Sequence, residues 1–526
     1  MALYTDIQPS VANQYLMMSR LFSRTFILLV FIFFVAGCAT APIDFPKQYS
    51  EAITDTDDTR LGKGVAQWIE DHPGKSGFYP LFEGMDALGV RLALIDRAEK
   101  TIDAQYFLMK PDSTGHLFVM KLLEAADRGV RVRFLLDDIF TTVKDDGLLV
   151  LNQHPNIEIR LFNPVGRSGS YYLNYLGDFK VANRRMHNKT FTVDNQISVV
   201  GGRNIADEYF GIDKDTQFRD TDMIARGPVS KDISKTFDRF WNHKLSVPME
   251  AFENNKNLPD LATAQANMNK NIVAANHSIY KEALSSPLMQ DLIDNRVEFY
   301  PSDSQVITDD PEKLLNEVSA DHKILVTALA KAVSDATSEV VVVTPYFIPR
   351  KTGIEFWKNI VDKGVRVVVV TNSLASNNHV PVHSAYARYR HDLINAGVEL
   401  YEIRVDAAKK PTGEVGFDTV TLHTKALLID RQHMFVGSLN LDPRSIDINT
   451  EMGLMIDNTS LSNDIADKFF NVLPTFTYRV TKNDQGYLRW TATIDGKEVI
   501  ETSDPQASSW LKLKAFISRI LPEGQL

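Results

Sequence analysis

The pattern H-x-K-x4-D occurs twice in the chain, as His187, Lys189, Asp194 and as His423, Lys425, Asp430, with the two histidines 236 residues apart. Each copy runs, after six intervening residues, into a glycine turn and an asparagine: Gly201-Gly202-Arg203-Asn204 in the first, Gly437-Ser438-Leu439-Asn440 in the second. With 12 His, 57 basic and 67 acidic residues in 526, even a relaxed basic/acidic triplet is expected only about 0.2 times by chance. Neighbouring segments repeat at nearly the same distance. Tyr106-Phe107 matches Tyr346-Phe347, and Arg128-Gly129-Val130-Arg131-Val132 matches Lys363-Gly364-Val365-Arg366-Val367. A long repeat of this kind requires two halves of one architecture.

Within each half, amphipathic helical patterns (88–99 and 324–334) alternate with buried-looking strands (130–136 and 365–371), which predicts an α/β fold. The two β-rich stretches of each motif are joined through Asp194-Asn195-Gln196 or Asp430-Arg431-Gln432, read as tight antiparallel turns. The expected fold is two tandem α-β-α domains, each a mixed, mainly parallel sheet covered by helices, related by pseudo-twofold symmetry about one shared site. The expected order is a signal segment over 1–37, a tether over 38–75, a first half over 76–255, a connector over 256–320, a second half over 321–475, and a meander with an amphipathic helix over 476–526. Between the halves the stretch 253–276, rich in Asn, Ala and Lys, reads as a helical or irregular connector rather than core. In the last helix Trp510, Leu513, Ile517 and Ile520 share a face, to be packed on the domain or laid on anionic lipid, with Lys512, Lys514 and Arg519 around it.

A net charge of −10 argues against a broad nucleic-acid footprint. The only cysteine, Cys38, follows an apolar run from Phe26 to Ala36 preceded by Arg20 and Arg24. Eleven apolar residues are too few for the roughly 20 of a spanning helix, which favours an export signal, whether translation starts at Met1 or at Met17 or Met18. Val35-Ala36-Gly37-Cys38 resembles the lipobox of bacterial lipoproteins, which predicts lipidation at Cys38 and a membrane-anchored protein of the bacterial envelope facing the periplasm. Ala39 leaves inner against outer membrane open. The competing reading is an uncleaved anchor with an incidental cysteine.

Residues i and i+2 of a strand share a face, so His187 projects with Lys189 and His423 with Lys425. If the halves converge, two imidazoles, two ammonium groups and the amides of Asn204 and Asn440 form a pocket suited to a phosphate diester. Cations and amides hold the nonbridging oxygens, one imidazole attacks phosphorus, and the other protonates the departing alkoxide. That chemistry calls for neither metal nor cofactor; His379 and His383 lack the companions of a zinc site. A carboxylate on the far ring nitrogen should orient each histidine. Thr221-Asp222-Met223 and Thr450-Glu451-Met452 occupy corresponding places, which assigns Asp222 to His187 and Glu451 to His423. Asp194 and Asp430 belong to the motif, but their turn positions suit a structural role.

The duplicated motif resembles that of the phospholipase D superfamily over about residues 76–475. Arg185-Met186-His187-Asn188-Lys189, Gly201-Gly202-Arg203-Asn204-Ile205, Asp222-Met223 and Asn440-Leu441-Asp442-Pro443-Arg444-Ser445 resemble its bacterial cardiolipin synthase C type. The resemblance implies a phosphatidyl-histidine on His187, with His423 as acid and then base, and His187, Lys189, Asp194, His423, Lys425 and Asp430 as the catalytic set. It also implies phosphatidylglycerol as acceptor, and phosphatidylglycerol or phosphatidylethanolamine as donor, for cardiolipin formation at a membrane. Gly202 against Ser438 makes any hydroxyl contact to substrate one-sided. An aromatic loop, Tyr171, Tyr172, Tyr175 and Phe179, followed by Lys180, Arg184 and Arg185, reads as an acyl-chain receiver and headgroup guide, or as a lid. The alternatives are a hydrolase releasing phosphatidic acid, a phosphodiesterase acting on nucleic acid, and a lipid-binding lipoprotein without activity.

Overall fold

The computed structural model describes residues 41–139, 141–167, 183–253, 258–315, 322–407 and 419–526. The segment 1–37, Cys38 and the loop residues Tyr171, Tyr172, Tyr175, Phe179 and Lys180 lie outside the described residues.

Backbone pairing joins 18 strands into one continuous sheet. In the first half Ile157–Phe162, Arg131–Asp137 and Thr101–Tyr106 run parallel. Thr190–Val193, Ile197–Gly201, Asp222–Arg226 and Ser76–Leu81 then follow, each antiparallel to the one before. The second half repeats the order. Glu399–Ile403, Arg366–Asn372 and Glu339–Val343 are parallel, followed antiparallel by Ala426–Ile429, His433–Gly437, Met452–Asp457 and Tyr300–Thr308. Ser76–Leu81 and Tyr300–Thr308 end their halves and pair with each other antiparallel, Ser76 opposite Ser302. The seam therefore sits between equivalent strands, as pseudo-twofold symmetry demands.

The α/β class and the tandem mixed sheets are as expected, but the parallel part is confined to three strands per half. The motif strands return through three-residue turns, 194–196 and 430–432, and so must pair antiparallel. Valine runs such as Val340–Val343 and Val367–Val370 supply strands covered on both faces, the pattern of parallel strands under helices. Phe78, Val200 and Met223 of the first half pack in one apolar cluster with Val341, Met434 and Leu454 of the second. The seam is thus held by the same water-excluding burial as each core.

Two expected linkers are structural. Within 256–320, Leu261–Leu284 packs on Gly84–Arg97, with Ala283 and Met289 in the first-half core, and Tyr300–Thr308 bridges the halves. Gly89 permits this approach, since a Cβ there would come 2.4 Å from the Ala283 carbonyl oxygen. The polar stretch near 50–60 is likewise docked: the Ser50 carbonyl accepts from Arg133 at 2.9 Å, and the amide of Ala52 donates to Asp238 at 2.9 Å. At the other end Thr477–Lys482, Leu488–Ile494 and Lys497–Glu501 extend the second half's sheet through Glu399–Ile403.

Candidate active site

Each motif hairpin turns through two residues of positive φ: Asp194 and Asn195 at 50° and 52°, Asp430 and Arg431 at 53° and 52°, the geometry that matches strand twist. The Asp194 carboxylate accepts from the amides of Glu99, Lys100 and Thr101. Asp430 accepts from the amides of Thr337, Ser338 and Glu339 and from the Thr337 and Ser338 hydroxyls. Burial pushes the Asp430 carboxyl up, but these donors outweigh it and hold it well below the usual range. Both aspartates clamp their hairpin to the preceding strand. Seven extended residues at ~3.3 Å each span up to about 23 Å between these aspartates and their histidines, and the hairpin hydrogen bonds give them a scaffolding place rather than a catalytic one.

At the other end the two histidines meet across the seam. The His187 amide donates to the Thr450 carbonyl at 3.0 Å, and the His423 amide to that of Arg219 at 2.7 Å. His187 Nδ1 lies 2.8 Å from Glu451 Oε2 and 3.1 Å from the Ser438 carbonyl oxygen. A carbonyl can only accept, so Nδ1 carries the proton and Nε2 keeps its lone pair. His423 Nδ1 lies 2.6 Å from Asp220 Oδ2. Each histidine is thus held by a carboxylate of the opposite half, which corrects both expected pairings.

Asp222 instead lies 2.9 Å from Arg91 and 3.3 Å from Arg203, all three buried. Burial pushes its carboxyl up, yet the two guanidinium groups outweigh this and hold it below the ordinary value. The shared Thr-x-Met strings mislead because the strands are in a different register. Gly201 pairs with Asp222, whereas Gly437 pairs with Gly453, so the counterpart of Glu451 is Asp220. The signal that marks it is the alternation Asp220-Thr221-Asp222, two carboxylates on one strand face.

The asymmetry at Gly202 and Ser438 serves these carboxylates rather than substrate. Ser438 Oγ donates to Glu451 at 2.5 Å, while a Cβ at Gly202 would come 2.3 Å from Asp220 Oδ1. Asn204 is spent as well: its Oδ1 accepts from the Leu108 amide at 3.2 Å, and its Nδ2 donates to Tyr209 Oη at 2.9 Å. Asn440 donates to Ser445 Oγ at 3.3 Å, and its buried Oδ1 has no partner. Arg185 is buried against Asp137, and the half-buried Arg184 reaches the Lys313 and Leu314 carbonyls. His383 is buried beside Arg390.

Aromatic walls that the motif did not reveal surround the rings. Phe107 stands edge-on to His187 with centroids 4.7 Å apart. Phe218 stacks on His423 at 5.3 Å, and Tyr209 meets it edge-on at 5.2 Å. Lys189 donates to the His187 carbonyl at 2.5 Å, and Lys425 to that of His423. Burial drives both lysines down, Lys189 to about 7 and Lys425 to about 8. Burial, then the charges of Lys189 and Lys425, hold His187 well below its ordinary value. His423 is lowered to about 3 by burial and by Lys425, while Asp220 pulls it back up. Burial raises Glu451 to about 7. Because each lysine's charge reaches the other half's histidine, all four groups share one site. It is a buried pocket of two lysines and two imidazoles held below their ordinary values, in which His187 Nε2 keeps its lone pair.

A family model described as "Cardiolipin synthase, PLD-like domain" matches residues 92–241 and 329–473, one match in each half. The chain is 36% identical over 469 residues to cardiolipin synthase C of Escherichia coli strain K12, covering 88% of this chain and 98% of the relative. It is 32% identical over 513 residues to an uncharacterised protein of Helicobacter pylori strain 26695, covering 96% and 100%. In fold it is similar to the crystal structure of phosphatidylserine synthase from Haemophilus influenzae Rd KW20, with a TM-score of 0.51 at 14% identity over 81% of this chain and 92% of that one. With a match in each half and near-complete coverage of a relative, the chain belongs to the phospholipase D superfamily and, within it, to the cardiolipin synthase family of phosphatidyltransferases.

Proposed function

We propose that this protein forms cardiolipin from phosphatidylglycerol and a phosphatidyl donor, phosphatidylglycerol or phosphatidylethanolamine, through a phosphohistidine on His187. His187 Nε2 attacks phosphorus; the bond to the headgroup oxygen breaks and that oxygen takes a proton from His423. A hydroxyl of the acceptor phosphatidylglycerol then gives its proton to His423 and attacks phosphorus, breaking the N–P bond. Lys189 and Lys425 hold the nonbridging oxygens, and the arriving phosphate restores the charge that burial takes from them. Attachment through a lipidated Cys38 would keep the enzyme with its substrates.

The observation that carries this reading is the crossed arrangement, in which Glu451 holds His187 and Asp220 holds His423 around two buried lysines. It also favours the assignment of roles. Burial and the charges of both lysines lower both histidines, but at His423 the carboxylate of Asp220 draws the proton affinity back up, which suits that ring to the acid and base role and His187 to attack. The test is purified protein with phosphatidylglycerol in vesicles, followed by lipid mass spectrometry. Cardiolipin with equimolar glycerol is expected; phosphatidic acid as the sole product would make the enzyme a hydrolase and reject the transfer reading.

A further inference from the structure

Fifteen large apolar side chains are exposed among the described residues, and six of them fall within twelve consecutive positions: Trp510, Leu513, Phe516, Ile517, Ile520 and Leu521. Their spacing, every third or fourth residue, places them on one side of the helix Ser509–Ser518 and its continuation. Trp510 is 62% and Ile520 85% exposed, so the expectation that this face packs on the domain is overturned. The opposite side is the one attached. Ser384 Oγ donates to the Ala515 carbonyl at 2.5 Å, and Arg388 to that of Arg519.

We propose that this helix and the turn after it form an in-plane seat on an anionic phospholipid bilayer, beside the shared histidine site. Two bases accompany the apolar face. Lys514 lies over the Trp510 ring and Arg519 over Phe516, at 5.4 and 5.6 Å, and neither has an acidic partner among the described residues. An apolar stripe flanked by unpaired cations is complementary to acyl chains beneath a layer of phosphates.

Continuity with the site fixes the orientation. Arg388 and Tyr389 hold Glu523 at 3.0 and 2.8 Å. Asn183, four residues before His187, donates to Gln525 at 2.7 Å, and the Arg444 amide donates to the Leu526 carbonyl at 3.0 Å. Arg444 is near enough to His187 for its charge to be felt there. Seating the helix therefore brings the tail, Arg444 and the reactive imidazole to the bilayer together. The inference rests on the reading of membrane phospholipids as substrates, and it adds the surface that presents the enzyme to them.

The test uses the full chain on phosphatidylglycerol vesicles containing phospholipid brominated on its acyl chains, with Trp fluorescence as the readout and Trp510→Phe as the subtraction control. A quenched component present in the wild type and absent from Trp510→Phe is expected, and equal quenching of the two would overturn the seat. Phosphatidylcholine vesicles should weaken that component; no difference would overturn its anionic character. The pair Phe516→Ser and Ile517→Ser should lower turnover of vesicle lipid about tenfold, through KM, and leave turnover of dispersed short-chain phospholipid unchanged. If the pair instead converts a dimer to a monomer with vesicle turnover intact, a second copy covers the face and the seat is rejected. Wild-type protein without turnover on short-chain lipid would sink the proposed function while leaving the quenching result to stand.

Discussion

The two halves build the same site with different parts. In the first, Gly202 leaves room for Asp220, a short carboxylate that reaches over the seam to His423. In the second, Ser438 donates to Glu451, a longer carboxylate that reaches back to His187. Neither half orients its own histidine. A duplication that began with equivalent halves thereby becomes obligatory, because removing either half leaves the other with an unheld imidazole and an uncompensated buried lysine.

The sharpest way to break the comparison is to remove the imidazoles. His187→Ala and His423→Ala should each lower turnover about ten-thousandfold. They should differ in what accumulates: with a phosphatidyl donor whose leaving group needs no proton, such as p-nitrophenolate, His423→Ala builds up a covalent, acid-labile phosphoenzyme, seen by intact-protein mass spectrometry, and His187→Ala does not. The opposite pattern would exchange the roles of the halves.

Next come the carboxylates. Asp220→Asn and Glu451→Gln should each cost about 100- to 10,000-fold in kcat, with Glu451→Gln slowing the single-turnover burst because it acts on the attacking histidine. Asp222→Ala is the contrast. It leaves Arg91 and Arg203 buried and unpaired, so it should lower unfolding stability by about 3–5 kcal/mol. Correctly folded Asp222→Ala protein with normal stability but lost activity would restore the pairing that the sequence suggested.

Smaller effects probe the Gly202 and Ser438 asymmetry. Ser438→Gly removes one hydrogen bond to Glu451, worth about 1 kcal/mol and therefore roughly fivefold in rate. Gly202→Ser forces a Cβ onto Asp220 and should cost more than its mirror-image change. Equal effects would show that the two carboxylates are equally free to move.

The gentlest probe is pH. Lysine binds phosphate only as ammonium, so kcat/KM should fall as pH rises through about 7 and then about 8, the values of Lys189 and Lys425 in the phosphate-free site. Lys189→Arg should move the alkaline limb toward 8. Glu451, raised to about 7, must be ionised to hold His187, so the acid limb should lie on the lower side of the same value, and Glu451→Gln should abolish it.

Much of the fold was legible because its signals are local or repetitive. The helix 324–334, the hairpin turns at Asp194 and Asp430, and the three-stranded meander are set by periodicity and turn chemistry. The docking of 261–284 was not legible. Its apolar residues, many of them alanine, are interspersed with Asn, Gln and Lys, and only contact with Gly84–Arg97 decides that Ala283 is interior. The exposed face of the last helix was legible as a pattern, but whether it is covered depends on what lies opposite it.

By itself the sequence determined the duplication, the two His/Lys pairs and the family to which they belong, because strand alternation fixes which side chains project together. Only the tertiary structure decided that Asp220 and Glu451 serve the histidines, and that each serves the one in the other half. A period of two residues gives a side chain its face but not its partner, and the partners here are joined across a seam by residues more than 200 positions apart.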